Sequence, residues 1–424
     1  MIRTAPDRKT RILGICTSVI AFSLLFSACS GAQAPKQADL VATYAVQTLT
    51  AIPLARASQA AAATDTPQPT PTLAPPTDTP TPTAIPATPT PVAVASGPTG
   101  FPNNYDPLTG LPVSDPTILN RRPVMVKVSN WPATVRPQSG LSSADLVFEY
   151  YIGEGMNRFV ALFYGQNTDR VGSIRSGRLI DAQLAPLYQA VLASSGAYYT
   201  VEWAIERALG NRVINEGAGP CPMFCRDAKI PSPNNLFGDT SQISAYAQSH
   251  GADPKTRQNL DGMAFDPAAP TTGKTATQVA IQINEYDRGE WRYDPSTGKY
   301  LRWIDDGNTT KITMVPLTDA NTKQQLAFAN VAVIFAPYTV YAATMNDVTS
   351  LSQAGQGGKA MLFRDGQELD CTWKSQGKDK PLEFLGSDGK AIPFKPGNSW
   401  IAIMGSHSSS TVSNGQWEIH FNLP

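Results

Sequence analysis

The sequence predicts two globular parts behind a low-complexity stalk, the first mixing strands with helices and the second built mainly of strands. Residues 64–98 are dominated by Thr-Pro repeats, a composition that does not form a packed core. Between residues 105 and 250, β-branched and aromatic runs are followed by segments of helical spacing. Beyond residue 275, short strand-like runs recur between turn signals, which is typical of a β-rich domain.

Composition limits the classes of function. The chain has 424 residues, enough for two or three domains, and its 34 basic residues balance its 34 acidic residues. A domain that binds nucleic acid of any sequence usually carries an excess of basic residues. Nucleic acid is therefore not an expected partner, although a local basic pocket is compatible with this balance.

The N-terminus has the pattern of an export signal. Basic residues precede an apolar run, Ile12 to Phe26, which is short for a membrane-spanning helix of ~20 residues. The run ends Leu25-Phe26-Ser27-Ala28-Cys29, which resembles the bacterial lipobox. We therefore predict a lipoprotein signal over residues 1–28 and an extracytoplasmic protein anchored to the membrane by lipid on Cys29. The alternative is an ordinary secretory signal with an incidental Cys29.

Residues 29–100 are predicted to be a membrane-proximal segment and a disordered linker. An alanine-rich stretch, Leu40 to Ala63, fits either a short helix or a disordered spacer. The Thr-Pro repeats favour polyproline II, and about 35 residues at ~3.1 Å each reach on the order of 100 Å. Such a stalk would hold a globular head away from the membrane.

The first globular part, residues 101–252, contains predicted strands followed by predicted helices. The strands are rich in β-branched and aromatic residues: Val124–Val128, Leu146–Tyr151 and Phe159–Tyr164. Helical spacing covers Leu179–Leu192, a segment from Trp203 that ends at Gly210, and Thr240–His250. A short strand is predicted at Arg212–Ile214.

A long loop over residues 215–240 is typical of a functional segment or a lid. It contains Cys221 and Cys225, and a close cysteine pair in an exported chain favours a disulfide. Two free thiols or two metal ligands are the alternatives. The metal interpretation lacks partners, since the only histidines are His250, His407 and His420.

The second part, residues 275–424, follows a polar connection and consists of predicted strands. They are Gln278–Ile283, Trp291–Tyr293, Tyr300–Trp303, Val331–Phe335, Ala360–Arg364, Glu368–Trp373, Ser399–Met404 and Trp417–Phe421.

Several motifs carry a family resemblance. The first part contains Pro107-Leu108-Thr109-Gly110, Arg136-Pro137-Gln138-Ser139-Gly140-Leu141, and Val171-Gly172-Ser173-Ile174-Arg175-Ser176-Gly177-Arg178. The second contains Phe363-Arg364-Asp365-Gly366 and Pro396-Gly397-Asn398-Ser399-Trp400-Ile401. The chain resembles the YerB-like bacterial lipoproteins, whose two parts are both domains of unknown function. The resemblance implies an α/β layered N-terminal domain, a sheet with packed helices, over residues 101–252. It implies a smaller, β-rich C-terminal domain over residues 275–424.

One departure from the family pattern concerns the long loop. Where the family usually has Pro-His-Asn-Leu, this chain has Pro233-Asn234-Asn235-Leu236. Any chemistry that relatives perform with that histidine is therefore not expected here.

Singly placed charges between short apolar runs predict an anion-accepting site, because guanidinium groups bind carboxylates and phosphates bidentately. If Ser176-Gly177 opens a helix at Leu179, its free N–H groups would face the same anion. The predicted ligand-binding residues are Arg136, Glu149, Glu154, Arg158, Arg175, Arg178, Arg226 and Asn235. The alternative is internal ion pairing: Arg136 with Asp145, Arg158 with Glu149 or Glu154, and Arg175 or Arg178 with Asp181.

The predicted activity is non-catalytic binding of an anionic cell-envelope component or an envelope protein, without metal or cofactor. A cell-wall hydrolase that uses a carboxylate pair among Asp145, Glu149 and Glu154 is the rival hypothesis. A passive assembly or spacer lipoprotein is the third. The sequence predicts no catalytic residue with a named role, and it favours a binding protein over an enzyme.

Overall fold

The computed structural model describes residues 94–343, 345–348 and 350–424. Cys29, the alanine-rich stretch and most of the Thr-Pro repeats lie outside the described residues. Within the described ranges, no helix combines the length and the hydropathy that crossing a bilayer requires.

Strands dominate both halves of the described chain. In the first half they are β1 (Tyr105–Asp106), β2 (Leu111–Pro112), β3 (Val124–Ser129), β4 (Leu146–Gly153), β5 (Met156–Phe163), β6 (Val171–Gly172), β7 (Val191–Ser194), β8 (Val213–Asn215), β9 (Phe224–Arg226) and β10 (Leu236–Gly238). In the second half they are β11 (Ala264–Phe265), β12 (Lys274–Thr275), β13 (Gln278–Gln282), β14 (Arg288–Asp294), β15 (Lys299–Asp305), β16 (Met314–Pro316), β17 (Ala327–Phe328), β18 (Asn330–Ala336), β19 (Tyr338–Ala342), β20 (Met345–Val348), β21 (Gly357–Arg364), β22 (Gln367–Lys374), β23 (Glu383–Leu385), β24 (Pro393–Phe394), β25 (Ser399–Gly405), β26 (Ser409–Ser413) and β27 (Gln416–His420).

The α-helices of the described residues all belong to the first half. They are α1 (Asp181–Leu187), α2 (Tyr199–Leu209) and α3 (Thr240–Ser249). Short 3₁₀ turns cover Pro116–Leu119, Ala133–Val135, Leu141–Ser143, Gly210–Arg212 and Glu216–Ala218.

One 11-stranded sheet joins the two halves of the chain. Its order is β12-β22-β21-β18-β25-β4-β5-β3-β7-β8, with β23 paired to β22. The halves meet where β25 runs parallel to β4, from Ser399 opposite Leu146 to Ile403 opposite Tyr150. The structure therefore agrees only in part with the prediction of an α/β first part and a β-rich second part. Helices occur as expected in the first half, but strands prevail in both halves.

The central strands of this sheet are buried on both faces. Val126, Val147 and Ala161 contribute to one apolar cluster, which also includes residues of α3 and of a second sheet ordered β16-β15-β14-β13-β27-β26. The alternate residues Phe148 and Val160 contribute to the other cluster, together with residues of α1 and α2. We call these sides the sheet face and the helix face. Successive strand residues point to opposite sides, so neighbours such as Glu149 and Tyr150 belong to different layers.

Several local predictions agree with the structure. The predicted strands at 124–128, 146–151 and 159–164 lie on β3, β4 and β5, and the eight predicted strands of the second half are all present. Helix α2 ends at Leu209. The backbone N–H of the next residue, Gly210, donates to the Glu206 carbonyl, and Gly210 itself has a φ of 59°. Glycine adopts this left-handed region without steric cost.

The predicted helix over Leu179–Leu192 is wrong in its extent. Helix α1 ends at Leu187, and Val191–Ser194 forms strand β7, which pairs in parallel with β3. Gln189 has a φ of 52°, which breaks the helical path. The apolar residues after it are buried as a strand of the main sheet, so tertiary pairing overrides the helical spacing.

Candidate functional site

Arg158, Arg175 and Arg178 lie close together on the helix face, and we call them the arginine cluster. Arg158 is on β5, directly opposite Tyr150 of β4. Arg175 and Arg178 belong to the loop between β6 and α1. Burial lowers the pKa of Arg158 to about 9, and the positive charges of Arg178 and Arg175 add to that decrease. Burial and then the Arg178 charge also lower the pKa of Arg175. These effects indicate guanidinium groups that are near enough to repel one another.

None of these three guanidinium groups forms an ion pair within the part of the chain that the structure describes. Arg158 Nη1 donates to the Ser176 carbonyl at 2.9 Å, and Arg178 Nη1 donates to the Gly177 carbonyl at 3.1 Å. The Nε atoms of Arg175 and Arg178 are buried and have no acceptor among the described residues. A buried donor without an acceptor costs about 1–3 kcal/mol. Two donors of the cluster are therefore buried without an acceptor among the described residues.

A second set of charged groups lies beneath the cluster and consists of Lys127, Tyr150 and Asp181, which we call the Lys127 triad. Lys127 Nζ donates to Asp181 Oδ1 at 3.0 Å, and the side chains of both residues are fully buried. The Tyr150 hydroxyl contacts Lys127 Nζ and donates to Asp181 Oδ1. Asp181 Oδ2 accepts the backbone N–H of Arg178 at 2.7 Å. The same carboxylate thus binds the buried lysine and positions the arginine loop.

Burial affects the protonation of Lys127. It lowers the pKa of Lys127 to about 7, against the opposing effect of Asp181, and the charges of Arg158 and Arg178 add to the decrease. Lys127 was not among the predicted site residues. The signal that would have found it is its position as the one charged residue in the apolar run Val124-Met125-Val126-Lys127-Val128.

The segment between β7 and α2 holds the arginine loop in place. The Gly177 N–H donates to the Gly196 carbonyl at 2.9 Å, and the Ser195 N–H donates to the Arg175 carbonyl at 3.2 Å. A Cβ atom at Gly177 would lie 2.7 Å from Ile205 Cδ1 of α2. Any larger residue at 177 would therefore require the Ile205 side chain to shift.

Arg136 and Glu149 lie elsewhere, in the interior on the sheet face. Arg136 pairs with Asp305 rather than with Asp145: Nη1 is 2.8 Å from Asp305 Oδ1, and the arginine side chain is 8% exposed. Glu149 is 3% exposed. Trp400 Nε1 donates to its carboxylate at 2.8 Å, and Arg302 Nη2 lies 3.4 Å from it. These two residues are therefore sealed inside the protein and do not reach the arginine cluster.

Glu149 belongs to a set of buried charges that we call the interior ion network, which consists of Arg136, Glu149, Asp287, Arg302 and Asp305. Burial raises the pKa of Asp287 to about 8, and the negative charges of Glu149 and Asp305 raise it further. Burial also raises the pKa of Glu149, against the lowering effect of Arg302. Asp287 comes from the turn before β14, and Arg302 and Asp305 come from β15, so the network connects the two halves of the chain.

Glu154 lies apart from Glu149. It is exposed in the turn between β4 and β5, and its charge opposes the decrease that burial causes in the pKa of Arg178. Glu154 therefore borders the arginine cluster, whereas Glu149 faces the opposite side of the sheet. The two carboxylates do not face one groove.

Two shallow cavities on the described surface have volumes of about 260 and 230 Å³. Residues 257–261 line much of the first, and the second lies beside Arg121 and α3. Neither includes a residue of the arginine cluster. Among the described residues, no group of three or more His, Cys, Asp or Glu side chains could hold a metal ion.

Comparison with known proteins identifies the family. Residues 108–253 match the N-terminal domain, and residues 278–401 the C-terminal domain, of a protein of unknown function (DUF3048). The chain belongs to this family. It is 28% identical over 317 residues to a protein of Bacillus subtilis (strain 168) named "Putative lipoprotein YerB". The alignment covers 73% of this chain and 89% of the relative. The crystal structure of YerB from Bacillus subtilis matches with a TM-score of 0.58 at 27% identity, over 71% of this chain and 96% of that chain. The YerB-like resemblance is thereby confirmed.

In this YerB-like chain, the long loop forms one side of the arginine cluster. Cys221 and Cys225 are joined in a disulfide. Arg226 pairs with Glu216, with Nε 2.5 Å from Oε1, and its Nη1 donates to Asn235 Oδ1 at 2.6 Å. The Arg226 charge contributes to the lowered pKa of Arg175, so the loop lies beside that residue. Arg226 is thus an ion-paired neighbour of the cluster.

Proposed function

We propose that this protein is anchored outside the cytoplasm by lipid on Cys29 and binds an anionic ligand of the cell envelope at the arginine cluster. The lipobox-like sequence before Cys29 supports the anchor. The name of the Bacillus subtilis relative also supports it. The Thr-Pro stalk would place the globular part within reach of wall polymers.

One observation carries the binding proposal: Arg158, Arg175 and Arg178 are half-buried and have no carboxylate partner within the described ranges. The nearest interior acid, Asp181, is already bonded to Lys127, Tyr150 and the Arg178 backbone. The cluster therefore keeps a positive charge in partly desolvated surroundings, where a bound anion gains more than it would in water. Planar guanidinium groups suit phosphate and carboxylate in particular.

The hydrolase hypothesis has less support. A glycosidase needs two carboxyl groups on either side of an open substrate groove. Glu149 is buried and bonded to Trp400 and Asn157, and Glu154 lies toward the other face of the sheet. A pair built from these two residues would require the main sheet to open.

The first test replaces Arg175 or Arg178 with alanine and measures both unfolding and retention of purified wall fragments. We expect each variant to bind about tenfold or more weakly with an unchanged unfolding midpoint, because a hydrogen bond to a charged group contributes about 1.5–3 kcal/mol. Arg170→Ala is the matched control, since Arg170 is 37% exposed and paired with Asp227. Equal retention by all three variants would contradict the proposal, and unfolding of the Arg175 and Arg178 variants would assign those residues to the scaffold.

The second test uses pH. Lys127 adds a positive charge beneath the cluster when it is protonated, and its pKa is about 7. Bound anion should favour the protonated form, so affinity for sulfate, whose charge is constant here, should fall as the pH rises from 6 to 8. Titration calorimetry measures this, and Lys127→Met should bind with the weaker, high-pH affinity throughout. A sulfate affinity of the wild-type protein that is constant over this range would contradict the expected linkage.

A further inference from the structure

Helix α2 presents an unusual surface beside the arginine cluster. Its residues Val201, Ile205 and Leu209 are buried, whereas Tyr199 and Trp203 are 70% and 63% exposed. Tyr198, the residue before the helix, is 58% exposed, and its ring lies 4.6 Å from the ring of Tyr199. We call Tyr198, Tyr199 and Trp203 the aromatic stripe. Single exposed apolar residues are ordinary, but a contiguous group on one side of an element indicates a binding surface.

Backbone contacts join the arginine loop to the segment directly before the aromatic stripe. Gly196, two residues before Tyr198, accepts the N–H of Gly177, which lies between Arg175 and Arg178. Ile205, on the buried side of α2, packs on Gly177. Tyr198, the first residue of the stripe, therefore lies two residues from a backbone contact with the arginine loop. At the other end of the stripe, the Arg207 guanidinium lies 5.3 Å from the centre of the Trp203 ring, and the same helix carries Glu202 and Glu206.

The combination of groups selects among possible occupants. Guanidinium groups bind phosphate or carboxylate. Exposed aromatic rings with polar tips offer flat apolar faces and hydroxyl groups, which match the C–H faces and the hydroxyls of sugar rings. A flat membrane surface would meet the exposed stripe but would not reach arginines that are half-buried below it. A narrow acidic polymer can contact both.

We propose that the aromatic stripe and the arginine cluster form one binding surface for an acidic saccharide chain. Its phosphate or carboxylate groups bind Arg158, Arg175 and Arg178, and its sugar rings lie on Tyr198, Tyr199 and Trp203. This inference rests on the proposed anion binding and adds the chemical class of the ligand.

The experiment compares sulfate, a pentameric oligogalacturonate, glucose 1-phosphate and neutral maltopentaose as ligands of the whole exported chain. We expect oligogalacturonate or glucose 1-phosphate to bind at least about tenfold more tightly than sulfate, and maltopentaose to bind weakly. A Tyr198→Ala/Tyr199→Ala variant and a Trp203→Ala variant should lose that excess and retain sulfate affinity. Arg178→Gln should weaken every anion. Tyr286→Ala is the matched control, because Tyr286 is 39% exposed and lies in the second half of the chain.

The outcomes separate the two proposals. If sulfate binds but the acidic saccharides bind no more tightly, or if the aromatic variants bind them normally, the saccharide inference is wrong and anion binding stands. If neither sulfate nor an acidic saccharide binds, both proposals fail. Vesicles of phosphatidylglycerol form a further arm: binding to vesicles that depends on the aromatic stripe, without binding to the saccharides, would assign the surface to a membrane and overturn the inference.

Discussion

Replacing Glu149 with leucine is expected to lower the free energy of unfolding by about 3–5 kcal/mol, the usual cost of leaving one partner of a buried ion pair uncompensated. Arg302 is fully buried, and its Nε and Nη1 atoms have no acceptor among the described residues. Its Nη2 depends on Glu149, as does the indole N–H of Trp400. Leucine would leave both donors buried without an acceptor, in addition to the uncompensated charge. Urea unfolding followed by tryptophan fluorescence measures the loss.

Two further variants identify the cause. Glu149→Gln removes the same charge but keeps the size and one acceptor for the buried donors of Trp400 and Arg302. It should therefore be destabilised clearly less than the leucine variant. Glu154→Gln, at an exposed turn, should change stability by no more than about 0.5 kcal/mol. Equal stability of the Glu149→Leu and Glu154→Gln variants would show that the interior ion network does not hold the halves together.

The sequence predicts those features that depend on neighbouring residues. β-branched runs become β3, β4 and β5, and a glycine after an apolar periodic segment ends α2 at Leu209. In both cases the local conformational preference and the burial pattern agree. Where they disagree, as after Leu187, the strand pairing of residues 191–194 with β3 decides the outcome.

Features that depend on distant partners could not be predicted from one sequence. Arg136 pairs with Asp305, 169 residues away, and no local pattern links them. The separation of Glu149 from Arg158 follows from strand register: Arg158 is opposite Tyr150, on the helix face, while Glu149 is opposite Phe159, on the sheet face. Register depends on long-range packing, so a set of arginines predicted as one group divides between two layers.

The same division explains why Arg158, Arg175 and Arg178 keep their charge available. The interior ion network places Asp287 and Asp305 beside the arginines of the sheet face. On the helix face, Asp181 is the buried acid nearest the cluster, and it is already shared by Lys127 and Tyr150. Asp181 does not pair with a guanidinium group of the arginine loop but accepts the backbone N–H of Arg178. Loop position and unpaired charge therefore depend on one residue, Asp181.

Asp181→Asn is accordingly expected to lower the free energy of unfolding by about 3 kcal/mol near neutral pH and to weaken anion binding. Without the carboxylate, Lys127 should remain neutral in the folded state well below its present pKa of about 7, while the unfolded chain still binds that proton. The unfolded state of the variant then binds more protons than its folded state, so its stability falls with decreasing pH, by up to about 1.4 kcal/mol per pH unit below 7, relative to wild type. Urea midpoints measured from pH 5 to pH 8 test this, with Asp388→Asn, at a 61% exposed side chain, as the control. A stability difference between the Asp181 variant and wild type that stays constant across this range would mean that Lys127 does not take up its proton through Asp181. The protonation of the triad would then be unconnected to the arginine loop above it.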